Sequence, residues 1–245
     1  MADNVTDIEP VRGIDETESG PEIAFLIFDR LTALDAIGPY EVLSRLPGAV
    51  VRFVAPDPGP QRTDTGFLTL NADYGLDEVR SPDIVVVPGG PGARDLVHNR
   101  AVLEWVRTVH QTSRWTTSVC TGALILGAAG ILDGRDATTH GAAMEQLAGY
   151  GAVPTESRIV DAGKILTAAG VSAGIDLGLH LAELVAGEEV AGAIQLIIEY
   201  DTRPAAEHGP VATAPAGTVA LARHLLTSPF ATASRDTATL AQSPP

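Results

Sequence analysis

Cys120, the only cysteine of the 245-residue chain, is the side chain best suited to nucleophilic chemistry. It follows a predicted strand over 115–119 and begins a predicted helix over 121–130. A thiol at a helix N-terminus meets unpaired N–H groups and the positive end of the helix dipole, which favour the thiolate. A sharp strand-to-helix turn also exposes the side chain that it carries. This context predicts a nucleophile, although a lone cysteine elsewhere is usually a small buried apolar residue.

Three further features of the sequence could act on the same reacting atoms. Asp35 lies near the start of a predicted helix and is either an N-cap or a carboxyl that exchanges a proton with the thiol. Gly89 and Gly90 follow another predicted strand, where their N–H groups could stabilise developing negative charge or merely form a tight turn. His140 is either a partner of Cys120 or a packed structural histidine, and the spacing does not distinguish the two. The two glycines and His140 are the candidate substrate-binding residues.

Metal chemistry has little support in the sequence. A single cysteine excludes an internal disulfide framework and a metal site built from cysteines. The histidines other than His140 lack the spacing of metal ligands and are interpreted as structural or surface residues: His98, His110, His180, His208 and His224. We therefore expect no metal site.

The elements that must position these residues alternate between strands and helices. Apolar runs predict strands over 23–28 and 83–87, and further strands are predicted over 50–55, 115–119, 159–160 and 164–167. Other segments predict helices over 35–46, 101–111, 121–130, 173–186 and 188–200. A hairpin is predicted over 62–70, around Gly66. This alternation is typical of an α/β three-layer sandwich with a mostly parallel central sheet, in which ligands bind beyond the carboxyl ends of the strands.

The charge and hydropathy of the chain limit the kinds of partner that it is expected to bind. Sixteen basic residues against 31 acidic ones give a formal net charge of −15, which disfavours binding to nucleic acid or to anionic membrane surfaces. No apolar run approaches the roughly 20 residues of a membrane span, and no signal-peptide pattern opens the chain. A cytoplasmic protein that acts on a small molecule is expected. Lys164 is the only lysine, so the acid excess fits either a halophilic source or GC-rich coding.

Composition divides the chain into three segments. Residues 1–20 are acidic with almost no apolar periodicity, which predicts a disordered N-terminal segment. Residues 21–227 are predicted to form a single domain. Residues 228–245 are rich in Ala, Thr, Ser and Pro, which predicts a flexible C-terminal tail.

A set of motifs between about residues 22 and 200 resembles that of the ThiJ/PfpI superfamily. The motifs are Val87-Pro-Gly-Gly90, Ser118-Val-Cys120-Thr-Gly122, Ala128-Ala-Gly-Ile-Leu132, Ala137-Thr-Thr-His140 and Gly170-Val-Ser-Ala-Gly-Ile-Asp176. The set is specific, although no single motif is. Within the superfamily the chain looks most like the isocyanide hydratase branch, which Thr121 after Cys120 and two further segments support: Leu34-Asp35-Ala-Ile-Gly-Pro39 and Gln195-Leu-Ile-Ile-Glu199-Tyr200.

This resemblance implies a flavodoxin-like, class I glutamine-amidotransferase-like fold and a homodimer. It implies that Cys120 is the nucleophile, Asp35 its carboxyl partner and Thr121 a hydrogen-bonding residue beside it, with Gly89 and Gly90 lining the site. The implied activity is that of a lyase that hydrates an isocyanide to an N-substituted formamide. Such chemistry requires neither a metal nor an organic cofactor.

Two departures from the family pattern bear on function. Peptidase-like members carry His directly after the nucleophile, where this chain has Thr121, so a protease is disfavoured. Gly141 follows the Thr-Thr-His segment, where the branch commonly has a bulky aromatic residue, so we expect a reshaped pocket. This departure bears on the identity of the substrate more than on that of the nucleophile.

Two alternatives stay open. One is a glyoxalase- or deglycase-like enzyme for reactive carbonyls. The other is a non-catalytic domain that senses a ligand, as in AraC-like regulators, or the oxidation of Cys120.

Overall fold

The continuous apolar runs of the sequence form strands that are covered on both faces. The computed structural model describes residues 20–202 and 214–227, and within it Ile84–Val87 is buried at every position. Such a run is needed where helices pack on both sides of a sheet. The strands are β1 (Glu22–Leu26), β2 (Val50–Ala55), β3 (Gly59–Arg62), β4 (Thr69–Ala72), β5 (Tyr74–Gly75), β6 (Ile84–Val87), β7 (Trp115–Val119), β8 (Asp136–Ala137), β9 (Val153–Pro154), β10 (Ile159–Ala162) and β11 (Ile165–Ala168).

Seven of these strands form the central sheet, in the order β10-β11-β7-β6-β1-β2-β5. Neighbouring strands are parallel except for β10 and β11, which are antiparallel. Val87 at the end of β6 lies opposite Ser118 of β7, and β1 lies on the other side of β6. The carboxyl ends of β1, β6 and β7 therefore meet at one edge of the sheet, which is where parallel sheets bind ligands.

Helices flank the sheet in two groups. They are α1 (Ala33–Leu43), α2 (Ala93–Leu96), α3 (Arg100–Thr112), α4 (Gly122–Ala128), α5 (Met144–Ala148), α6 (Ala173–Ala186) and α7 (Glu188–Ile197). Helix α6 packs against α1 and α7, whereas α4 packs against α2, α3 and α5. The predicted α/β sandwich with a mostly parallel sheet is confirmed.

Glycines allow α1 and α6 to approach each other and the end of β7. A Cβ atom at Gly38 of α1 would lie 3.2 Å from Cγ1 of Ile175. One at Gly174 of α6 would lie 3.3 Å from both methyl groups of Val119, the last residue of β7. This close packing holds α1, and with it Asp35, beside the residue that follows β7.

Most predicted elements are present, and β2, β7 and α6 have the predicted bounds. Helix α1 begins at Ala33, so Thr32 and not Asp35 is at the N-cap position, and Pro39 lies in the second turn. The hairpin is formed by β3 and β4, which constitute a separate two-stranded sheet. The sequence pattern did not indicate β5, α2, α5, the β8–β9 pair or the 3-10 turn Gly141–Ala143.

The domain prediction is only partly covered by the described residues. Residues 20–201 fall in one compact unit. A second unit begins at Thr202 and includes the helix α8 (Ala216–Thr227). The predicted disordered segment, apart from Gly20, and the predicted tail over 228–245 lie outside the described residues, and the boundaries 21–227 stay a prediction. In the described ranges, no helix combines the length and apolar character needed to cross a membrane.

Candidate active site

Cys120 occupies a strained turn between β7 and α4. Its φ angle is +57°, in the left-handed region that residues other than glycine seldom adopt. Hydrogen bonds hold this conformation: the Cys120 N–H is shared between the carbonyls of Ala169, at 2.7 Å, and Ala168, at 3.1 Å, and the Cys120 carbonyl accepts from the Thr139 hydroxyl over 2.7 Å. Strain of this kind persists only where the surroundings enforce it, and it concentrates at functional sites.

The thiol at this turn is buried, which corrects the expectation that the turn exposes it. Cys120 is 5% exposed. The loop after β6 packs directly on the turn, since a Cβ atom at Gly89 would lie only 2.5 Å from the Thr121 nitrogen. Helix α1 covers the turn from another side and brings the Asp35 carboxyl to the thiol. The local geometry of an elbow therefore does not decide exposure here, because two distant segments cover it.

Asp35 is a buried carboxyl of the site and not a helix cap. Its side chain is fully buried, and its Oδ2 accepts a hydrogen bond from the Gly89 N–H over 2.9 Å. Among the described residues, Oδ1 has no hydrogen bond of ordinary geometry. The interaction left to this carboxyl is with the Cys120 thiol. The structure thus brings together the two residues that the sequence predicted to exchange a proton.

Burial raises the pKa of both groups of this pair. The pKa of Asp35 rises from 3.8 to about 7, mainly by burial, against the lowering effects of the Gly89 N–H and the Cys120 thiol. The pKa of Cys120 is raised, first by burial and then by the negative charge of Asp35, although the N–H and hydroxyl of Thr121 lower it. At neutral pH the pair therefore keeps at least one proton. Burial and the charge of Asp35 therefore oppose the thiolate that the helix N-terminus was expected to favour.

The glycine loop, which is the segment Gly89–Gly90 after β6, binds both the Asp35 carboxyl and the turn that carries Cys120. The Gly89 N–H donates to Asp35, and the Gly90 N–H donates to the Thr121 hydroxyl over 2.9 Å. The Gly89 carbonyl accepts from the Thr32 N–H over 2.9 Å at the start of α1. Both glycine N–H groups are thus engaged within the protein, which favours the tight turn over the oxyanion hole. Whether these glycines contact substrate stays a prediction.

Thr121 ties the glycine loop to the nucleophile. Its hydroxyl accepts from the Gly90 N–H and lies 3.2 Å from the Gly90 carbonyl, to which it donates. Its backbone N–H favours the ionised form of the Cys120 thiol. Thr121 therefore lies beside Cys120 and binds the glycine loop, and its role in catalysis stays a prediction.

His140 is bound to its own segment. Its Nδ1 accepts from the Ala142 N–H over 3.2 Å, which leaves the proton of the neutral ring on Nε2. Burial and the charge of Arg94 lower its pKa, so the ring is neutral at pH 7. A Cβ atom at Gly170 would overlap the His140 ring, so the ring packs on this glycine. Among the described residues no hydrogen bond joins His140 to Cys120, and its place at the substrate stays a prediction.

Two residues that the sequence did not single out contribute to the site. Thr139, next to His140, supplies the hydroxyl that holds the Cys120 carbonyl. Asp64, in the turn between β3 and β4, accepts a hydrogen bond from the Thr32 hydroxyl over 2.7 Å and raises the pKa of Asp35. Thr139 lies within a motif that the sequence highlighted for its histidine. Asp64 has no such sequence signal, because only the folded hairpin brings it to α1.

The remaining histidines and acids form no metal centre in the described ranges. His110 contacts the Thr116 hydroxyl through Nδ1 over 2.8 Å. His180 contacts Asp161 through Nε2 over 3.1 Å. His208 lies outside the described residues.

The family pattern of DJ-1/PfpI matches residues 21–184, a range that contains every residue of the site described above. The chain belongs to the DJ-1/PfpI family. It is 40% identical over 202 residues to the isonitrile hydratase of Pseudomonas putida, with 82% of this chain and 88% of that protein covered. Isonitrile is another name for isocyanide.

Two further relatives differ from each other in length and in the role that their names give. A crystal structure of a ThiJ/PfpI family protein from Pseudomonas syringae superposes with a TM-score of 0.82 at 32% identity, covering 92% of this chain and 96% of that one. The transcriptional regulator GbdR of Pseudomonas aeruginosa is 29% identical over 199 residues, which cover 77% of this chain but only 53% of the regulator. Relatives of this chain therefore include both a ThiJ/PfpI family protein that it covers almost completely and a longer transcriptional regulator.

Proposed function

We propose that this protein is a cysteine-dependent hydratase that converts a small isocyanide and water into an N-substituted formamide. The observation that carries the proposal is the buried pair of Cys120 and Asp35, whose raised pKa values keep at least one proton on the pair near neutral pH, and one proton when Asp35 is ionised. The hydratase activity of the Pseudomonas putida relative, at 40% identity, supports this choice of substrate class.

The one-proton pair suits the first step of this reaction. The terminal carbon of R–N≡C carries a lone pair, so it accepts a nucleophile and a proton on the same atom. Asp35 takes the thiol proton of Cys120, the sulfur forms a bond to the terminal carbon, and the proton passes from Asp35 to that carbon. The product is a thioimidate, R–N=CH–S–Cys120. Proton transfer coupled to attack avoids a free thiolate, which the buried site disfavours.

Water completes the reaction. Asp35, ionised again, accepts a proton from water as the water oxygen attacks the thioimidate carbon, and passes that proton to the substrate nitrogen. The tetrahedral adduct then releases sulfur as the carbon–sulfur bond breaks, and its hydroxyl proton returns to Cys120 through Asp35. The products are R–NH–CHO and the free thiol, so atoms and protons balance. Thr139 and Thr121 keep the turn and the glycine loop in place during both steps.

The test uses the purified full-length protein with an aryl isocyanide, and separately with methylglyoxal, and follows products by NMR. We expect formamide from the wild type and none from Cys120→Ala. We expect Asp35→Asn to reduce kcat by at least about 100-fold while the protein stays folded, because it removes the proton-transfer group. Wild-type kcat in that variant would contradict its role.

The same assay decides between the proposal and its alternatives. Turnover of methylglyoxal without turnover of the isocyanide would replace the hydratase by a glyoxalase-like enzyme. A wild type that turns over neither compound would favour a sensing domain, the role suggested by the resemblance to GbdR.

We further propose a cytoplasmic homodimer. A monomeric mass in solution would refute the dimer.

A further inference from the structure

The hairpin of β3 and β4 reaches the active site through its turn. Leu31 forms a bridge with Thr63, and the Asp64 N–H donates to the Leu31 carbonyl over 2.9 Å. The turn is thereby fixed to the segment that leads from β1 into α1. The sequence predicted this hairpin only as an appended element, with no link to the chemistry.

Asp64 is the residue through which this hairpin contacts the start of α1. Its Oδ2 accepts the Thr32 hydroxyl over 2.7 Å, and its Oδ1 accepts the Thr65 N–H over 2.8 Å. Thr32 has the N-cap position of α1 but forms no side-chain cap, because its hydroxyl is directed to Asp64. The hairpin therefore engages the hydroxyl that would otherwise be available to cap the helix.

Thr32 connects Asp64 to the catalytic carboxyl by two short routes. Its carbonyl accepts the Asp35 N–H over 3.1 Å, and its N–H donates to the Gly89 carbonyl over 2.9 Å. The Gly89 N–H in turn donates to Asp35 Oδ2 over 2.9 Å. A closed set of hydrogen bonds thus joins the hairpin, the helix start, the glycine loop and the carboxyl.

We propose that Asp64 is a positioning residue of the active site, which fixes the Asp35 carboxyl through Thr32 and acts on its protonation through a second negative charge. The proposal rests on the role given above to the Cys120–Asp35 pair. In the described part of the chain, Cys120 and Asp64 are the titratable groups that act on Asp35, and Asp64 is the one that opposes its ionisation by charge. The hairpin thereby brings the pH at which the carboxyl loses its proton closer to neutrality, where Asp35 can both accept and return a proton.

The test separates charge from hydrogen bonding with three variants of the full chain. Asp64→Asn removes the charge but keeps an acceptor for the Thr32 hydroxyl. Thr32→Val removes that hydrogen bond and leaves both charges. Asp73→Asn, an exposed acid just after β4, makes the same charge change away from Asp35 and is the matched control. Circular dichroism and thermal melting establish that each variant is folded.

The principal readout is the titration of Asp35 by infrared spectroscopy, in which the carboxyl band is assigned by its loss in Asp35→Asn. We expect Asp64→Asn to lower the midpoint by at least about 0.5 pH unit, a threefold loss of proton affinity. We expect Asp73→Asn to leave it unchanged. Equal midpoints in Asp64→Asn and Asp73→Asn would overturn the electrostatic role.

A second readout is the rate at which iodoacetamide alkylates Cys120. We expect Thr32→Val to slow it by about tenfold at neutral pH, because a displaced Asp35 accepts the thiol proton less well. An unchanged rate would overturn the positioning role. Neither measurement uses an isocyanide, so a wild type without hydratase activity would refute the proposed function and leave this inference to be decided by its own results.

Discussion

The raised pKa of Asp35 predicts that the protein loses stability as the pH rises from 5 to 8. A carboxyl that binds its proton more tightly in the folded state than in the unfolded state stabilises the fold while it is protonated. This contribution is complete below the unfolded pKa and is lost as the pH passes through the folded pKa. With values of about 7 when folded and 3.8 when unfolded, the loss between pH 5 and pH 8 is about 2.6 kcal/mol.

Asp35→Asn isolates this contribution from all other titrating groups. The amide oxygen of Asn still accepts the Gly89 N–H, while the variant has no proton to lose. The free energy of unfolding is measured by urea denaturation at pH 5, 6, 7 and 8 for the wild type and the variant. We expect the variant to gain about 2.6 kcal/mol relative to the wild type across this range. The difference at any one pH contains other effects of the substitution, so only its change with pH is interpreted.

Parallel pH dependences of the two proteins would refute the reasoning. They would mean that Asp35 has the same pKa in the folded and unfolded states, and that burial does not govern its ionisation. A relative gain in the opposite direction would mean that the Gly89 N–H and the thiol outweigh burial and lower the pKa. Asp73→Asn is again the control and should parallel the wild type.

The other predictions concern the turn that carries the thiol. Thr139→Val removes the hydroxyl bound to the Cys120 carbonyl, and should cost about 1–3 kcal/mol in urea denaturation and lower kcat, whereas Thr139→Ser should restore both. If Val behaves as Ser does, the hydrogen bond has no role. Gly122→Ala would drive a Cβ atom into the Val87 carbonyl and should cost several kcal/mol. Gly192→Ala, in α7 with open space around it, should instead be neutral or stabilising by up to about 1 kcal/mol. Equal stability of the two alanine variants would contradict the close packing.

The sequence predicted those parts of the fold that local pattern determines. The strand over 115–119 and the helix over 173–186 were predicted with the bounds of β7 and α6. The buried residues of α6 recur three to four positions apart, as in Gly174, Leu177 and Leu181, so neighbouring residues suffice to indicate a helix there. The start of α1 was misplaced because aspartate is a residue type that is common at the N-cap, and Asp35 was therefore placed at the start of the helix. In the structure its carboxyl binds the Gly89 N–H, which lies 54 residues away in the sequence.

The chemistry of the site depended more on distant contacts than on local pattern. The residues Cys120 and Asp35 could be selected by type and position, but the burial of the thiol follows from a loop and a helix that pack over the turn. Thr139 and Asp64 act through partners 19 and 32 residues away, respectively, and neither has a local feature that marks it. Local reasoning therefore selected the two candidate reacting groups but not their protonation, which depends on the distant segments that exclude water from them.

That protonation bears on the choice between catalysis and redox sensing. Peroxide and similar oxidants react with the thiolate, so a sensor cysteine needs a lowered pKa and access to solvent. Cys120 has a raised pKa and is 5% exposed, which argues against the sensing alternative. Hydration of an isocyanide instead requires that the proton of the thiol be retained at the site, because the carbon that accepts sulfur must also accept a proton. A buried thiol and carboxyl that share one proton supply both to the same atom, and the pair is therefore better suited to this addition than to oxidation.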